Sequence, residues 1–330
     1  MRGYRGLFRR SLPRKGVHRN SLSPRDFALT LLLLLLTTPI MLINAQPISF
    51  GEFKESFKLV YEMSGVFNGN KTYEFISMER VEGKTCIQVR VVVDLRTQLG
   101  SLSFNISYTS EFWYDEAGRP IKERIEVPKE NSSLRGVEIS YWWGERDFPD
   151  RVTMLFLLKG NVTKFYELDM VEGRGSFKSE GEVEEFYFTY DNLSEIIPFV
   201  PEALVTPHID LSSLRFIEGF EKTFGEGSRK VKLKVMGSDY VETPAGTFDC
   251  YKLLLEGVDE YGVPYNSTIY VTKSSPRFTV MYETYSIGVK QYGWLVECQV
   301  QRKPEVAHFL LFSLVIAVPI VALLVKRRFR

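Results

Sequence analysis

Apolar and polar positions alternate with a period of two through most of the middle of the chain. The pattern is clearest in "FKLVYEMSG" (57–65), "KTYEFISMERVEG" (71–83), "KTCIQVRVVVDL" (84–95) and "GSLSFNISYTSEFWYD" (100–115). These runs are rich in β-branched and aromatic residues, which predicts strands with one buried face. "WYDEAGRPIKERIEV" reads as strand, tight turn at Asp115–Gly118, strand, and "GVEISYWWGERD", "DRVTMLFLLKGNVTKFYEL" and "EGEVEEFYFTYDNL" continue the series. Turn residues recur at meander spacing, without the strand–helix alternation of a parallel sheet. The pattern breaks at 193–224, where Pro198, Pro201 and Pro207 preclude one long helix and short turns are expected near Pro201–Leu204 and Leu211–Glu218. Strands resume over 228–302, so the expectation is a first sheet part (50–192), an irregular segment (193–224) and a second sheet part (228–302).

Two runs depart from alternation altogether. "FALTLLLLLLTTPIMLINA" (27–45) and "VAHFLLFSLVIAVPIVALLV" (306–325) are apolar on every side. The second, at 1.5 Å rise per residue, is about 30 Å long as a helix, the thickness of a hydrocarbon core, and is expected to be a transmembrane helix. The first has a short dense centre, Leu31–Leu36, then Pro39 and a small residue at Ala45. That fits a signal peptide cleaved after Ala45, while the long basic leader and Ile43 fit an uncleaved anchor helix.

Charge orients these runs. Residues 1–26 carry eight basic groups against Asp26 alone, and the tail 326–330 carries four with no acid. With these set aside, 27–325 holds 30 basic and 40 acidic residues, a charge of about −10 hidden inside a formal total of +1. The basic leader (1–26) and tail (326–330) stay cytoplasmic by the positive-inside rule. Residues 46–305 are therefore expected outside the cell, in a protein passing once through the cell membrane, or twice if the leader is retained. An acidic middle repels phosphate, so no nucleic-acid partner is expected, while the lipid bilayer is an expected one. The five-residue tail is too short for a signalling domain.

The asparagines test this orientation independently. Six of the nine begin N-x-[ST]: Asn70, Asn105, Asn131, Asn161, Asn192 and Asn266. With Ser and Thr at roughly one residue in seven, chance supplies about one such site. The excess predicts a glycosylated extracellular surface. In that compartment Cys250 and Cys298 are candidates for a disulfide, with Cys86 left over in a strand; three free buried thiols are the alternative.

Candidate chemistry is sparse. Outside the leader and terminal run only His208 remains, and no G-x-S-x-G, Walker, H-E-x-x-H or C-x-x-C pattern occurs, so no catalytic residue, cofactor or metal is expected. The neighbouring carboxylates Asp115/Glu116 and Glu184/Glu185 are the material for a carboxylate-dependent carbohydrate hydrolase, but adjacent strand residues point to opposite faces. Trp142 and Trp143 are candidates for a ligand-contacting aromatic pair.

One short stretch carries a resemblance. In "VETPAGTFDCYKLLLEG" (241–257), Pro244 and Gly246 fix a stiff hairpin corner. "GSDYVETPAGTFDCYKLLLE", followed by "YNSTIYVTKSSPRFTVMYE", and the earlier "EFWYDEAGRPIKERIEV" resemble the strand-turn-strand signatures of envelope β-domains with the lipoprotein-localisation-factor (LolA-like) fold. The resemblance implies a mainly β fold, a large curved antiparallel sheet forming a half-barrel with short helices, and an apolar ligand groove; it transfers no catalytic residue. The groove is expected between the sheet and 193–224, with Phe199, Val200, Leu204, Trp142 and Trp143 as candidate walls. The alternative is that Ile196, Ile197, Phe199, Val200, Leu204 and Val205 fill the core. The expected function is a non-enzymatic, membrane-anchored surface domain binding an apolar ligand or an envelope protein. A carbohydrate-active hydrolase and a purely structural envelope component are the rivals.

Overall fold

The computed structural model describes residues 49–99, 102–126, 134–159, 163–179, 181–189, 192–197, 200–258, 264–286 and 288–300. The expected leader, both apolar runs and the basic tail lie outside these residues, as do Asn131, Asn161 and Phe199. Among the described residues no helix is long and apolar enough to cross a membrane.

The alternating runs become strands. β1 (Phe57–Gly65), β2 (Phe67–Val81), β3 (Lys84–Leu99), β4 (Leu102–Tyr114), β5 (Pro120–Glu126), β6 (Leu134–Trp142), β7 (Arg151–Leu158), β8 (Thr163–Asp169), β9 (Arg174–Ser179) and β10 (Glu182–Tyr187) form the first series. A single turn of helix, α1 (Leu193–Ile196), and two 3-10 turns, Glu202–Leu204 and Leu211–Ser213, follow. The second series is β11 (Glu221–Phe224), β12 (Val231–Thr243), β13 (Gly246–Val258), β14 (Pro264–Thr272), β15 (Thr279–Ser286) and β16 (Val289–Val300). The irregular segment thus yields to strand at Glu221, earlier than its pattern suggests, because β11 is only four residues long.

All sixteen strands belong to one antiparallel sheet in the order β10-β9-β8-β7-β6-β5-β4-β3-β2-β1-β16-β15-β14-β13-β12-β11. Two meanders grow outwards from a central β1–β16 pair, in which Phe57 opposes Val300. Alternation is clearest in the second half of β3, where Val91, Val93, Leu95 and Thr97 are buried while Val92, Asp94, Arg96 and Gln98 are exposed; in its first half Cys86, Ile87, Gln88 and Val89 are all buried.

The sheet curls. Nine strands separate β6 from β12, so a flat sheet would hold them about 48 Å apart at the usual strand spacing. Yet the loop after β6 touches the turn between β11 and β12. Gly225 N–H donates to Asp147 Oδ2 at 2.8 Å, Arg146 pairs with Glu226, and Phe148 packs on Gly225. The edges β10 and β11 do not pair with each other, so the curl leaves a seam. Polar side chains blunt one of these edges: β10 carries Glu182, Glu184 and Glu185, which discourages pairing with another chain.

The chain between β10 and β11 must cross from one edge to the other, and it does so as a strap over the inner face. Leu193, Ile197, Val200, Leu204 and Val205 enter an apolar cluster with Val137, Ile139, Tyr141, Val152, Met154 and Leu168 of β6–β8. Further along, Leu211 and Leu214 enter a second, larger cluster built by β1–β4 and β11–β16. The strap is pinned by polar bonds as well. His208 N–H donates to Asp147 O at 2.8 Å, and buried Arg229 donates to Leu204 O.

The stiff corner is the turn of the β12–β13 hairpin. Thr243 opposes Gly246, leaving Pro244 and Ala245 as the turn residues. Gly246 has φ +130°, and an added Cβ would meet nothing closer than the Phe248 ring at 4.0 Å, so the demand for glycine is conformational and not steric. Beyond the corner Phe248 packs edge-on against Phe278, and Tyr251 stacks on Phe216 of the strap at 4.3 Å. Gly246→Val is expected to destabilise the domain by about 1–3 kcal/mol through backbone strain. Pro244→Ala is expected to cost about 0.4–1 kcal/mol, acting through the unfolded chain. Denaturant unfolding of the two variants checks this; equal and negligible shifts would show that the corner is no pivot.

Candidate functional site

On the inner face two buried charged side chains stand out, one on β2 and one on β5, among mostly apolar residues and a few uncharged polar ones such as Thr97, Ser267, Thr284 and Gln291. On β2 the inward positions are Phe67, Gly69, Lys71, Tyr73 and Phe75, and on β5 they are Ile121, Glu123 and Ile125. A charged residue thus stands on the inward parity of each strand, flanked two residues away by apolar or aromatic side chains. Both are buried, Lys71 at 4% and Glu123 at 7% exposure. Ser110 on β4 lies between them, opposite Val91 on one side and Ile125 on the other, and is buried too. Tyr141 on β6 donates its hydroxyl to Glu123 Oε2 at 2.9 Å. The Lys71 ammonium lies 5.0 Å from the centre of the Tyr73 ring, a cation–π distance. This polar seam starts inside the larger cluster, where Lys71 opposes Tyr61 and Val93, and ends beside the smaller one, where Glu123 opposes Ile139.

Burial dominates the electrostatics. Loss of solvent raises Glu123 from an ordinary 4.5 to about 7, opposed by the Tyr141 hydrogen bond and by the charge of Lys71. Glu123 is therefore largely protonated in mildly acidic solution and half-protonated near neutrality. Around the seam the inner face is less completely covered. Phe75, Tyr108, Phe112 and Tyr114 pack against the larger cluster but are only partly buried. Tyr108 and Phe112 flank Ser110 on β4.

The residues singled out by the sequence fall elsewhere. Val200 and Leu204, expected as groove walls, are buried among β6–β8 side chains, Leu204 at 0% exposure. They fill core because the strap carrying them is pressed onto the sheet. Trp142 and Trp143 are both half-buried. Trp142 opposes Arg151, whose guanidinium lies over its ring, while Trp143 donates to Pro120 O at 2.6 Å and meets the His208 ring edge-on. They brace the loop after β6 rather than forming one platform.

The expected Cys250–Cys298 disulfide is not made. All three cysteines are free thiols, and Cys250 on β13 is separated from Cys298 on β16 by two strands, each cysteine facing its own ladder partners. Burial pushes the Cys250 thiol up to about 12, with Asp249 adding to the effect.

Among the carboxylates, Asp115 is committed to its turn. It accepts from Ala117 N–H and Arg119 N–H and pairs with the Arg119 guanidinium at 3.0 Å. Glu184 opposes Phe177 and Glu185 opposes Ser176, so the two lie on opposite faces of β10. His208 Nε2 is 3.0 Å from Ala117 O, so the ring carries its proton there, and burial holds its pKa below the ordinary value.

Four sequon asparagines are described. Asn70, Asn105 and Asn266 sit on β2, β4 and β14 and are exposed, whereas the residues that follow them, Lys71, Ile106 and Ser267, are buried. The N-x-[ST] spacing of two puts both consensus residues on one face of a strand, here the outer face. Asn192 accepts from Thr189 N–H at 2.8 Å in the turn before α1.

No family model matches the chain, and no curated protein matches it. Solved structures do. A β-barrel-like protein of the domain of unknown function DUF1849 from Brucella abortus is similar at 11% identity and TM-score 0.39, over 75% of this chain and 98% of that one. A candidate exported protein with a YmcC-like fold from Bacteroides fragilis is similar at 9% identity and TM-score 0.27, over 77% of this chain and 100% of that one. A candidate lipoprotein from Parabacteroides distasonis is similar at 11% identity and TM-score 0.29, over 77% and 100% respectively. At these TM-scores the likenesses carry neither fold nor function onto this chain.

Glu123 makes stability depend on pH. Its folded pKa lies above its unfolded one, so its contribution is complete below about pH 4.5 and is lost as pH rises towards 7. The full loss is on the order of 3 kcal/mol. Glu123→Gln, which keeps the shape of the neutral acid, is expected to flatten this part of the curve. Denaturant unfolding of both proteins at a series of pH values from 4.5 to 7.5 measures the difference; parallel curves would show that Glu123 is not the titrating group.

Proposed function

We propose that the chain is a membrane-tethered β-domain of the cell envelope that binds an apolar ligand on the inner face of its curled sheet and does no chemistry on it. The observation that carries this reading is the set of half-buried aromatic side chains, Phe75, Tyr108, Phe112 and Tyr114, gathered on the inner face of β2 and β4. Half-covered rings on a concave wall are the usual lining of a site for apolar ligands. The resemblance to LolA-like domains supports the same face. The two apolar runs and the basic ends support the tether. The outward position of Asn70, Asn105 and Asn266 supports an extracellular outer surface whose glycans leave the inner face clear. Hydrolysis is disfavoured by the carboxylates themselves, since Asp115 braces a turn and Glu184 and Glu185 point apart.

The full chain in lipid nanodiscs is expected to bind an environment-sensitive fluorescent fatty acid saturably. Replacing two rings together, Tyr108→Ala with Phe112→Ala, is expected to weaken binding by about tenfold while far-ultraviolet circular dichroism stays that of a β protein. Absence of saturable binding by the intact protein would overturn the reading.

A further inference from the structure

We propose that the rim at which β1 begins and β16 ends lies against the head-group layer of the bilayer, so that the half-open rings of the inner face open towards lipid and not towards bulk water. The inference rests on the reading of the chain as a tethered domain with an apolar site. It adds the surface that meets the membrane and the side from which a ligand reaches the site.

Reach is the first argument. Phe57 opposes Val300, so both ends of the sheet lie on one rim. Five residues, 301–305, separate Val300 from the apolar run 306–325, and three, 46–48, separate Ala45 from Ser49. The chain from Val300 to Val306 spans at most about 20 Å. β16 is twelve residues long, or about 40 Å. A domain resting on its opposite rim would need the connection to run back along that whole length, well beyond its reach. The tether therefore holds this rim, and not the opposite one, to the bilayer.

The candidate glycan sites are the second argument. Followed along the ladder to the central pair, Asn70 is level with Glu62, five residues from Phe57 and about 17 Å from that rim. Asn105 pairs with Arg96 and Arg96 with Asn68, one residue beyond the Gly69–Met63 pair, so it lies farther still. Asn266 pairs with Tyr285 and Tyr285 with Lys290, ten residues before Val300 and about 34 Å away. These three strands lie within three places of the central pair, so the strand inclination usual in curled sheets does not reverse the order. A glycan is bulky and hydrated and needs water around it. The exposed sequons thus stand clear of the proposed membrane surface. Asn192 differs in kind: it is half-buried, with Oδ1 on Thr189 N–H.

The rings are the third. Glu74 opposes Lys58, which puts Phe75 on the row of Phe57, and the two rings are 6.2 Å apart. Phe112 opposes Val89, and Val89 opposes Phe75, so Phe112 is on that row too. Tyr114 lies two residues farther out and stacks on Phe50 at 4.1 Å. Three of the four half-open rings are therefore at the proposed membrane rim, beside the segment that leads into β1. Tyr108, on the row of Tyr61, lies deeper. Charge at this rim is mixed, with Lys84 and Lys273 among Glu82 and Glu242, so the contact does not depend on anionic lipid.

The test uses the full-length protein in liposomes of zwitterionic phospholipid, part of it carrying a nitroxide on the head group. A fluorescent amino acid replaces Thr85 or Ser274 at the proposed rim, or Val289 at the opposite one; all three positions are exposed. Emission from positions 85 and 274 is expected to be largely lost to quenching, and emission from position 289 to be retained. Phe112→benzoylphenylalanine is expected to capture lipid acyl chains on illumination, and Tyr292→benzoylphenylalanine, on the outer face, is expected to capture none. Equal quenching at all three positions, or stronger quenching at 289, in protein that floats with the liposomes would overturn the membrane rim and leave the tether standing. Failure to float would remove the tether and the inference with it. Quenching at 85 and 274 without capture at 112 would overturn the opening of the rings towards lipid. If the Phe112 variant no longer unfolds cooperatively, the same replacement at Phe75 decides: capture supports the opening, and its absence overturns it.

Discussion

The constraint on which the rest depends is that one sheet with one apolar face has to cover that face with its own chain. Sixteen strands expose a large inner surface, and no second sheet or long helix is described that would pack on it. Phe50 and Phe53, just before β1, cover part of it, Phe50 stacking on Tyr114 at 4.1 Å, and two larger devices cover the rest. The sheet curls until loops from strands ten positions apart touch, and the strap from β10 to β11 is drawn across the inside. The strap crosses because the chain starts and ends its sheet in the middle, at β1 and β16, so the two growing edges are joined only by the segment between them. Topology thus explains why the proline-broken segment is apolar. Its Leu193, Ile197, Leu204, Leu211 and Leu214 are the missing layer of the core.

A strap of this kind covers unevenly. It is an irregular chain without the width of a helix or a sheet, so it closes what it touches and leaves the flanks. The strap's first half lies on β6–β8 and its second on the larger cluster. The inner positions of β2 and β4 retain half-open rings, with Lys71, Ser110 and Glu123 beside them. The candidate site is therefore a result of how the fold is completed, and its polar residues run from within the larger part of the core towards the smaller.

Much of the architecture was legible in the sequence. The period-two runs mark most of the strands, because a one-sided sheet writes its burial directly into alternation. The turn Asp115–Gly118 and the corner at Pro244–Gly246 declare themselves through residues that suit few other conformations. The strap is legible as an irregular apolar segment lying over the sheet, with core filling one of its two expected roles; that it joins the two edges is not legible, since pattern alone does not reveal which edges a segment joins. The seam could have been found by a simple rule. In "PIKERIE" Glu123 stands between Ile121 and Ile125 on the inward parity, and in "KTYEF" Lys71 shares parity with Tyr73 and Phe75. Single charges that break an apolar stripe mark buried polar positions here, whereas the adjacent carboxylates and tandem tryptophans do not. The cysteine pairing failed for a related reason: nearness in the second half of the chain says nothing about distance across a sheet, where each intervening strand adds about 4.8 Å.

The central β1–β16 pair has a mechanical side. Phe57 and Val300 are direct partners, so the chain enters and leaves the sheet at one point, midway between its two edges. The chain before β1 is anchored as well: Ser49 N–H donates to Arg277 O at 3.0 Å, Glu52 pairs with Arg277 at 2.7 Å, and Phe50 and Phe53 are buried. Force drawing the two ends apart therefore loads these contacts first, and only when they give way does it act across the Phe57–Val300 pair and open the ladder from that end, one pair of residues at a time. The segment before β1 thus acts as a latch on the ladder that closes the sheet's middle.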